Sequence, residues 1–279
     1  IAIALFLLSM LLIFATLRGF YLPQADDQQT WPATYTFNPE RSGAMKIPSP
    51  SALSIKAWNF VYDLGIELAQ FETVFWEPED TTSLRTWIAS TPDMADSRVL
   101  EIGTGTGLIA LSCLLAGAER VVATDINPQA FANSQYNAQH LELEERFDAR
   151  LVSMDSPQPF AVVDAGERFD FIISNPPWED APIEEVAAYA LYDPGFGLLD
   201  QLLTDTADHL TPSGKLLLAY GARRAIERIL RDAPKYGWHV QLADPRELDA
   251  QPDVFIPGML LILTQTKQEV ATPAASADE

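Results

Sequence analysis

The chain has 279 residues, 48% hydrophobic and 20% charged, enough apolar surface for one large core and too much for wholesale disorder. Its 18 Lys and Arg stand against 39 Asp and Glu, a net charge of −21, which argues against a protein whose main task is to grip a phosphate backbone. The single cysteine, Cys113, excludes an internal disulfide and a Cys-based zinc site, and with only His140, His209 and His239 besides, no metal is expected.

The first predicted element covers residues 1–22. Residues 1–17 carry no charge, and the apolar run continues through Arg18 into Gly19, Phe20, Tyr21 and Leu22. Roughly 20 apolar residues span a bilayer, so the segment reads as a single-pass transmembrane anchor. A cleaved signal peptide and a buried core helix compete with that reading. The first lacks a small-x-small site before Asp26-Asp27, and the absence of any polar face counts against the second. Arg18 and the neighbouring aromatics place the following chain on the cytoplasmic side. Residues 23–52, rich in Pro, Gln, Thr, Asp and Ser, read as a linker. Over 53–71 the apolar residues Ile55, Trp58, Val61, Tyr62, Leu64, Ile66 and Leu68 fall at helical spacing, interrupted by Gly65. The spacing predicts an amphipathic helix inside a helical lid or adaptor spanning 53–96.

From Arg98 onward short apolar runs alternate with helical stretches. Strands are predicted over 99–102, 121–124, 149–152, 169–174, 215–220, 239–242 and 259–264. Helices are predicted after Gly107, at Asn127-Pro128 with an Asn cap and Pro in the first position, near Gly197 and near Gly221. This alternation specifies a doubly wound, mostly parallel α/β sheet over 97–266. Residues 267–279 read as a disordered acidic tail.

The first of these strands runs into Gly103-Thr104-Gly105-Thr106-Gly107, a turn in which glycines let the backbone approach a bound nucleotide. At the end of the next strand stands Asp125, whose carboxylate can accept from both hydroxyls of a ribose. A dinucleotide loop of the form G-x-G-x-x-G needs glycine at position 108, where Leu108 stands. The stretch from Glu101 to Gly107 followed by Ala-Thr-Asp-Ile-Asn-Pro resembles the class I S-adenosylmethionine-dependent methyltransferases, whose fold is Rossmann-like. The resemblance implies that Glu101, Gly103, Thr104, Gly105 and Gly107 hold the cofactor through the loop. It implies further that Asp125 holds the ribose, that Ile126 packs on adenine and that Asp155 receives the adenine amino group, although an Asp ending a strand is also an ordinary turn residue.

The predicted strand 169–174 ends in Asn175-Pro176-Pro177-Trp178. In an open α/β sheet ligands sit beyond the carboxyl ends of the strands, so this tetrapeptide faces the crevice of the glycine loop. Two prolines stiffen the turn and remove two backbone donors, leaving carbonyls to accept. A planar amide or amino nitrogen is a poor nucleophile because its lone pair is delocalised. Accepting its two N–H bonds with the Asn175 side-chain oxygen and the Pro176 carbonyl favours pyramidalisation, and Trp178 can stack on the flat group. No general base is demanded before the transfer; rate comes from positioning and electrostatics.

The tetrapeptide is similar to the N/D-P-P-Y/F/W signature of methyltransferases acting on exocyclic or amide nitrogens. Two subgroups matter: the HemK-like glutamine methyltransferases of release factors and ribosomal proteins, and the adenine-N6 methyltransferases of DNA and RNA. Val74-Phe75-Trp76-Glu77-Pro78-Glu79-Asp80-Thr81 resembles the E-P-x-E-D-T stretch of HemK-like enzymes, where a Thr lies near the cofactor; one residue is missing, so Thr81 and Thr82 are both candidates. Tyr192-Asp193-Pro194-Gly195-Phe196-Gly197 echoes a glycine-containing segment of the same family. Asn175 counts with the cofactor contacts as well as with the catalytic group.

Charge weighs between the substrates. From 140 to 200, 14 acidic residues stand against 3 basic ones, and Glu179, Asp180, Glu184 and Glu185 follow directly on Trp178, a lip that repels phosphates. On a helix further on, Arg224, Arg228, Arg231 and Lys235 share one face, which suits anionic headgroups or plain solvation. The expectation is a membrane-anchored N-methyltransferase that uses S-adenosylmethionine and acts on a protein glutamine or a small-molecule acceptor. The alternatives are an adenine-N6 methyltransferase and an inactive cofactor-binding adaptor.

Overall fold

The computed structural model describes residues 54–252 and 256–266. Its first element is a β-hairpin, β1 (Ile55–Val61) against β2 (Ile66–Phe71), paired antiparallel from Val61↔Ile66 outward. The helix expected over 53–71 is therefore corrected to two strands. Gly65 takes φ +65° and its N–H donates to the Val61 carbonyl at 2.9 Å, closing the turn that the helical reading treated as an interruption. The β-branched and aromatic residues Ile55, Trp58, Phe60 and Val61 suit extended backbone. In so short a segment they match the helical period and the strand period about equally well. Of the expected helical lid over 53–96, only α1 (Thr82–Ser90) is an α-helix.

The body alternates strands and helices as expected: β3 (Arg98–Ile102), α2 (Leu108–Leu115), β4 (Arg120–Asp125), α3 (Pro128–His140), β5 (Phe147–Leu151), β6 (Phe169–Ser174), α4 (Gly197–Asp205), β7 (Leu210–Tyr220), α5 (Arg223–Asp232), β8 (Trp238–Leu242) and β9 (Met259–Gln265). The strands form one seven-stranded sheet in the order β5-β4-β3-β6-β7-β9-β8. It is parallel except that β9 runs antiparallel to both neighbours. Helices cover both faces, which is why the central strands carry consecutive apolar residues such as Val121-Val122-Ala123, Phe171-Ile172-Ile173 and Leu216-Leu217-Leu218. One core cluster joins Leu111, Val121 and Phe131 to the hairpin residues Leu68 and Phe71. The other joins Leu199, Leu202, Ile226 and Ile229 to the opposite face of the sheet. Chain order reverses between β3 and β6, opening a crevice beyond their carboxyl ends.

The hairpin is seated by two asparagines one helical turn apart on α3. Asn137 Oδ1 accepts the Ala69 N–H at 2.9 Å, and its Nδ2 donates to the carbonyls of Ala69 and Thr106. Asn133 accepts the Phe71 N–H and donates to the Ala69 carbonyl. These side chains satisfy the edge of β2 that a further strand would otherwise have to pair.

Among the described residues no helix is long and apolar enough to cross a membrane. The expected transmembrane helix and single-pass membrane localisation thus find no support among the described residues, and the fold class is corrected to the doubly wound sheet alone. The segments expected as anchor (1–22), linker (23–52) and tail (267–279) lie outside the described residues.

Candidate active site

Beyond the ends of β3, β4 and β6 lies a cavity of about 380 Å³. Three of the chain segments in its wall are the loop between β3 and α2, the turn after β4, and Asn175-Pro176-Pro177 after β6. Local chemistry explains each.

Gly103, Gly105 and Gly107 take φ of +80°, +55° and +88°, a left-handed backbone that only glycine adopts freely. At Gly107 a Cβ would also stand 3.2 Å from Ser134 on α3, so the loop packs closely on the next helix. The N–H groups of Gly103 and Thr104 both donate to the Thr124 carbonyl at 2.9 Å. Beneath the loop Glu101, 1% exposed, accepts from the Thr104 hydroxyl at 2.6 Å and from the Ala110 N–H at 3.1 Å. Burial pushes its carboxyl up to about 8, against the lowering effect of those two donors.

Asp125 accepts the Gly105 N–H on Oδ2 and the Asn127 N–H on Oδ1, each at 2.8 Å. Burial pushes it up to about 6, opposed by these backbone donors. Each carboxylate oxygen has capacity for a further bond, so a vicinal diol can be held while the loop contact persists. Asn127 caps α3 by accepting the Gln129 N–H at 2.9 Å, with Pro128 in the first turn. Ile126 lies on the cavity wall beside Asp125.

After β6, Ser174 donates its hydroxyl to the Ile102 carbonyl at 2.7 Å, which fixes the motif against β3. Asn175, Pro176 and Pro177 line the cavity. Trp178 does not. Its backbone N–H donates to the Leu191 carbonyl at 3.3 Å, and its ring packs on the second core cluster, 6.0 Å from the ring of Phe75. Trp178, expected to stack on a substrate, stands off this wall, and the aromatic rings on the wall belong to Phe75, Trp76, Tyr189 and Tyr192. Asp155 is exposed, its N–H donating to Ser153 Oγ at 3.3 Å, and it is absent from the wall. There the wall is made by Val152, Pro157 and Pro159. Between the two threonines, Thr81 is buried on the wall and Thr82 is exposed.

Asp193, not assigned a role from sequence, also lines the cavity. It accepts the N–H groups of Leu198 and Leu199 at 2.8 and 3.0 Å and so caps α4. The acid ahead of an apolar helical run was a readable capping signal. Phe75 and the two tyrosines had no such signal, because an aromatic in a loop is as often core as cavity wall.

The cavity lining contains no Lys, Arg or His and contains the carboxyl groups of Glu77, Glu101, Asp125 and Asp193. A phosphate finds no cation here; a ligand carrying positive charge finds carboxylates.

Residues 79–236 match the family described as methyltransferase small domain. The chain belongs to that family. It is similar to the release factor glutamine methyltransferase of Cereibacter sphaeroides, 38% identical over 138 residues that cover 44% of this chain and 46% of that protein. The similarity to the enzyme of the same name from Shewanella oneidensis is 27% identity over 224 residues, 69% of this chain and 76% of that one. The chain thus spans about half the length of the first relative and three quarters of the second. The fold is like that of the SAM-dependent methyltransferase from Agrobacterium tumefaciens, with a TM-score of 0.51 at 20% identity, covering 73% of this chain and 68% of that structure.

Proposed function

We propose that the chain is an S-adenosylmethionine-dependent methyltransferase acting on a planar amide nitrogen, the side chain of a glutamine in a protein acceptor. One observation carries this reading: Asn175 and Pro176 stand on the same cavity wall as the glycine loop and Asp125. A cofactor site and an acceptor site that recognises N–H groups thus share one space. The release-factor names of the relatives favour glutamine over other amides.

The wall fits the cofactor. Asp125 has free acceptor capacity for a ribose diol, the glycine loop lets backbone approach, and the carboxyl-rich, cation-free lining suits a positively charged ligand. S-adenosylmethionine supplies, when bound, a methyl group on a sulfonium that leaves as a neutral thioether. The chain's own residues position the acceptor. The side-chain oxygen of Asn175 and the carbonyl of Pro176 accept its two N–H bonds, drawing the nitrogen out of conjugation. Phe75, backed by Trp178, offers a flat apolar face to the amide plane. Glu101 and Asp125 hold the loop and the ribose, and neither is asked to remove a proton before transfer.

The test is labelled methyl transfer to glutamine-containing peptides and to a cell extract treated separately with protease and with nuclease. Label in protein that survives nuclease supports the reading; label lost to nuclease refutes the protein acceptor. Asn175→Ala lowers transfer by about 10²-fold or more, the cost of removing one oriented polar group from a reacting centre. Cofactor affinity stays within about twofold, because the loop and Asp125 are intact. Full activity in that variant rejects the mechanism.

A further inference from the structure

We propose that Arg85 is a positioning residue for the cofactor cavity, holding the Thr81 hydroxyl as a hydrogen-bond acceptor toward S-adenosylmethionine through a brace anchored on the hairpin. The inference rests on the cofactor reading above.

Arg85 lies on α1, four residues after Thr81, so the two share one helix face. Its side chain is 4% exposed, and the guanidinium is occupied on two sides. Nε and Nη2 donate to Asp63 Oδ2 and Oδ1 at 2.8 and 3.1 Å, a bidentate pair with a residue in the hairpin turn. Nη1 donates to the Pro78 carbonyl at 2.5 Å and to Thr81 Oγ1. Pro78 and Thr81 are both wall residues of the cavity.

The consequence follows from counting protons. A threonine hydroxyl has one hydrogen and two lone pairs. The hydrogen goes to the Pro78 carbonyl at 3.2 Å, and one lone pair takes the Arg85 N–H. The arginine side chain offers only donors and no acceptor, so this arrangement cannot invert. What remains to a ligand is a single lone pair, which accepts from an N–H or O–H of the cofactor. The hairpin is tied to a second wall residue too, since Asn137 joins Ala69 to the Thr106 carbonyl of the glycine loop. Its turn and its edge are thus each linked to wall residues.

The test is calorimetric affinity for S-adenosylmethionine in the full chain, with a melting curve for each variant. Thr81→Val and Arg85→Lys each weaken binding by about five- to tenfold, as expected for one lost hydrogen bond in a shielded site. Thr81→Ser restores affinity to within about twofold, since it keeps the hydroxyl. The double variant Thr81→Val with Arg85→Lys is no weaker than about twofold beyond either single change, because both remove the same contact. Asp63→Asn, in a turn where the partner is 46% exposed, guards against misfolding: it keeps the fold and still weakens binding. Losses that multiply in the double variant, or unchanged affinity in Asp63→Asn, overturn the positioning role. A wild-type chain that fails to bind the cofactor overturns the functional reading along with it, whereas binding with multiplying losses overturns this inference alone.

Discussion

Two carboxyl groups in the cavity titrate in an unusual range. Glu101 is pushed up to about 8 and Asp125 to about 6, in each case chiefly by burial. A ligand that brings a positive charge, or hydroxyls that favour the ionised carboxylate, lowers both values and expels protons on binding. Affinity for S-adenosylmethionine therefore rises as pH goes from 6 to 8 and levels off above. S-adenosylhomocysteine, which lacks the sulfonium charge, shows a shallower rise. A flat profile for both ligands refutes the charge argument. Stability carries the opposite sign. The folded values lie above the ordinary 4.5 and 3.8, so the contribution of these groups is fully present below about pH 4 and is lost as pH rises through about 6 and 8. Melting curves with and without saturating cofactor at pH 6 and 8.5 read both effects. Sequence pattern identified these residues through their place after β3 and β4. Their protonation it could not supply, because desolvation depends on what covers them.

At the scale of elements, the hairpin is the largest departure from sequence expectation. Its apolar residues satisfied a helical period, and what selected strands was the turn at Gly65 together with an acceptor surface on α3. Asn133 and Asn137 carried no recognisable signal, since polar residues within a helix are usually solvated. Here both are fully buried, and they serve the β2 edge as a third strand would. Asn137→Ala leaves the Ala69 N–H and the Thr106 carbonyl without these bonds. It costs about 3 kcal/mol, the penalty for stranding buried polar groups. For a domain of this size the melting temperature falls by roughly 6–12 °C. Hydrogen exchange at the Ala69 amide accelerates in the same variant; unchanged exchange there rejects the clamp. The motif elements behaved differently. The glycine loop, the Asn127-Pro128 start of α3 and the Asn-Pro-Pro turn all lie where the sequence placed them.

Across the whole molecule, residues far apart in the chain close the cavity wall. Gly258, just before β9, meets the segment carrying Thr81: a Cβ there would stand 2.2 Å from the Asp80 carbonyl oxygen. The Gly258 carbonyl accepts from the Ser83 hydroxyl at 2.8 Å and from Arg246 at 2.9 Å. Gly258→Ala forces these segments apart and destabilises the protein by about 3 kcal/mol, as for an overpacked core. Cofactor affinity falls with it, because Thr81 follows Asp80. A Gly258→Ala chain with wild-type melting temperature and affinity refutes this coupling. The net charge of −21 acquires a location as well, with carboxyl groups lining the cavity and no basic residue among its wall.

The sequence alone determined the doubly wound sheet, the loop of Gly103 to Gly107 with Asp125, and the Asn-Pro-Pro turn after β6. These are local facts, written in hydrophobic period and turn chemistry over a few neighbouring residues. Only the tertiary structure decided that 55–71 forms a hairpin, that Thr81 rather than Thr82 meets the cavity, and that Asp155 and Trp178 stand off its wall. It alone joined Arg85, Asn137 and Gly258 to the site. Each of these depends on which surfaces pack together across tens to hundreds of residues, and neither periodicity nor composition encodes that choice.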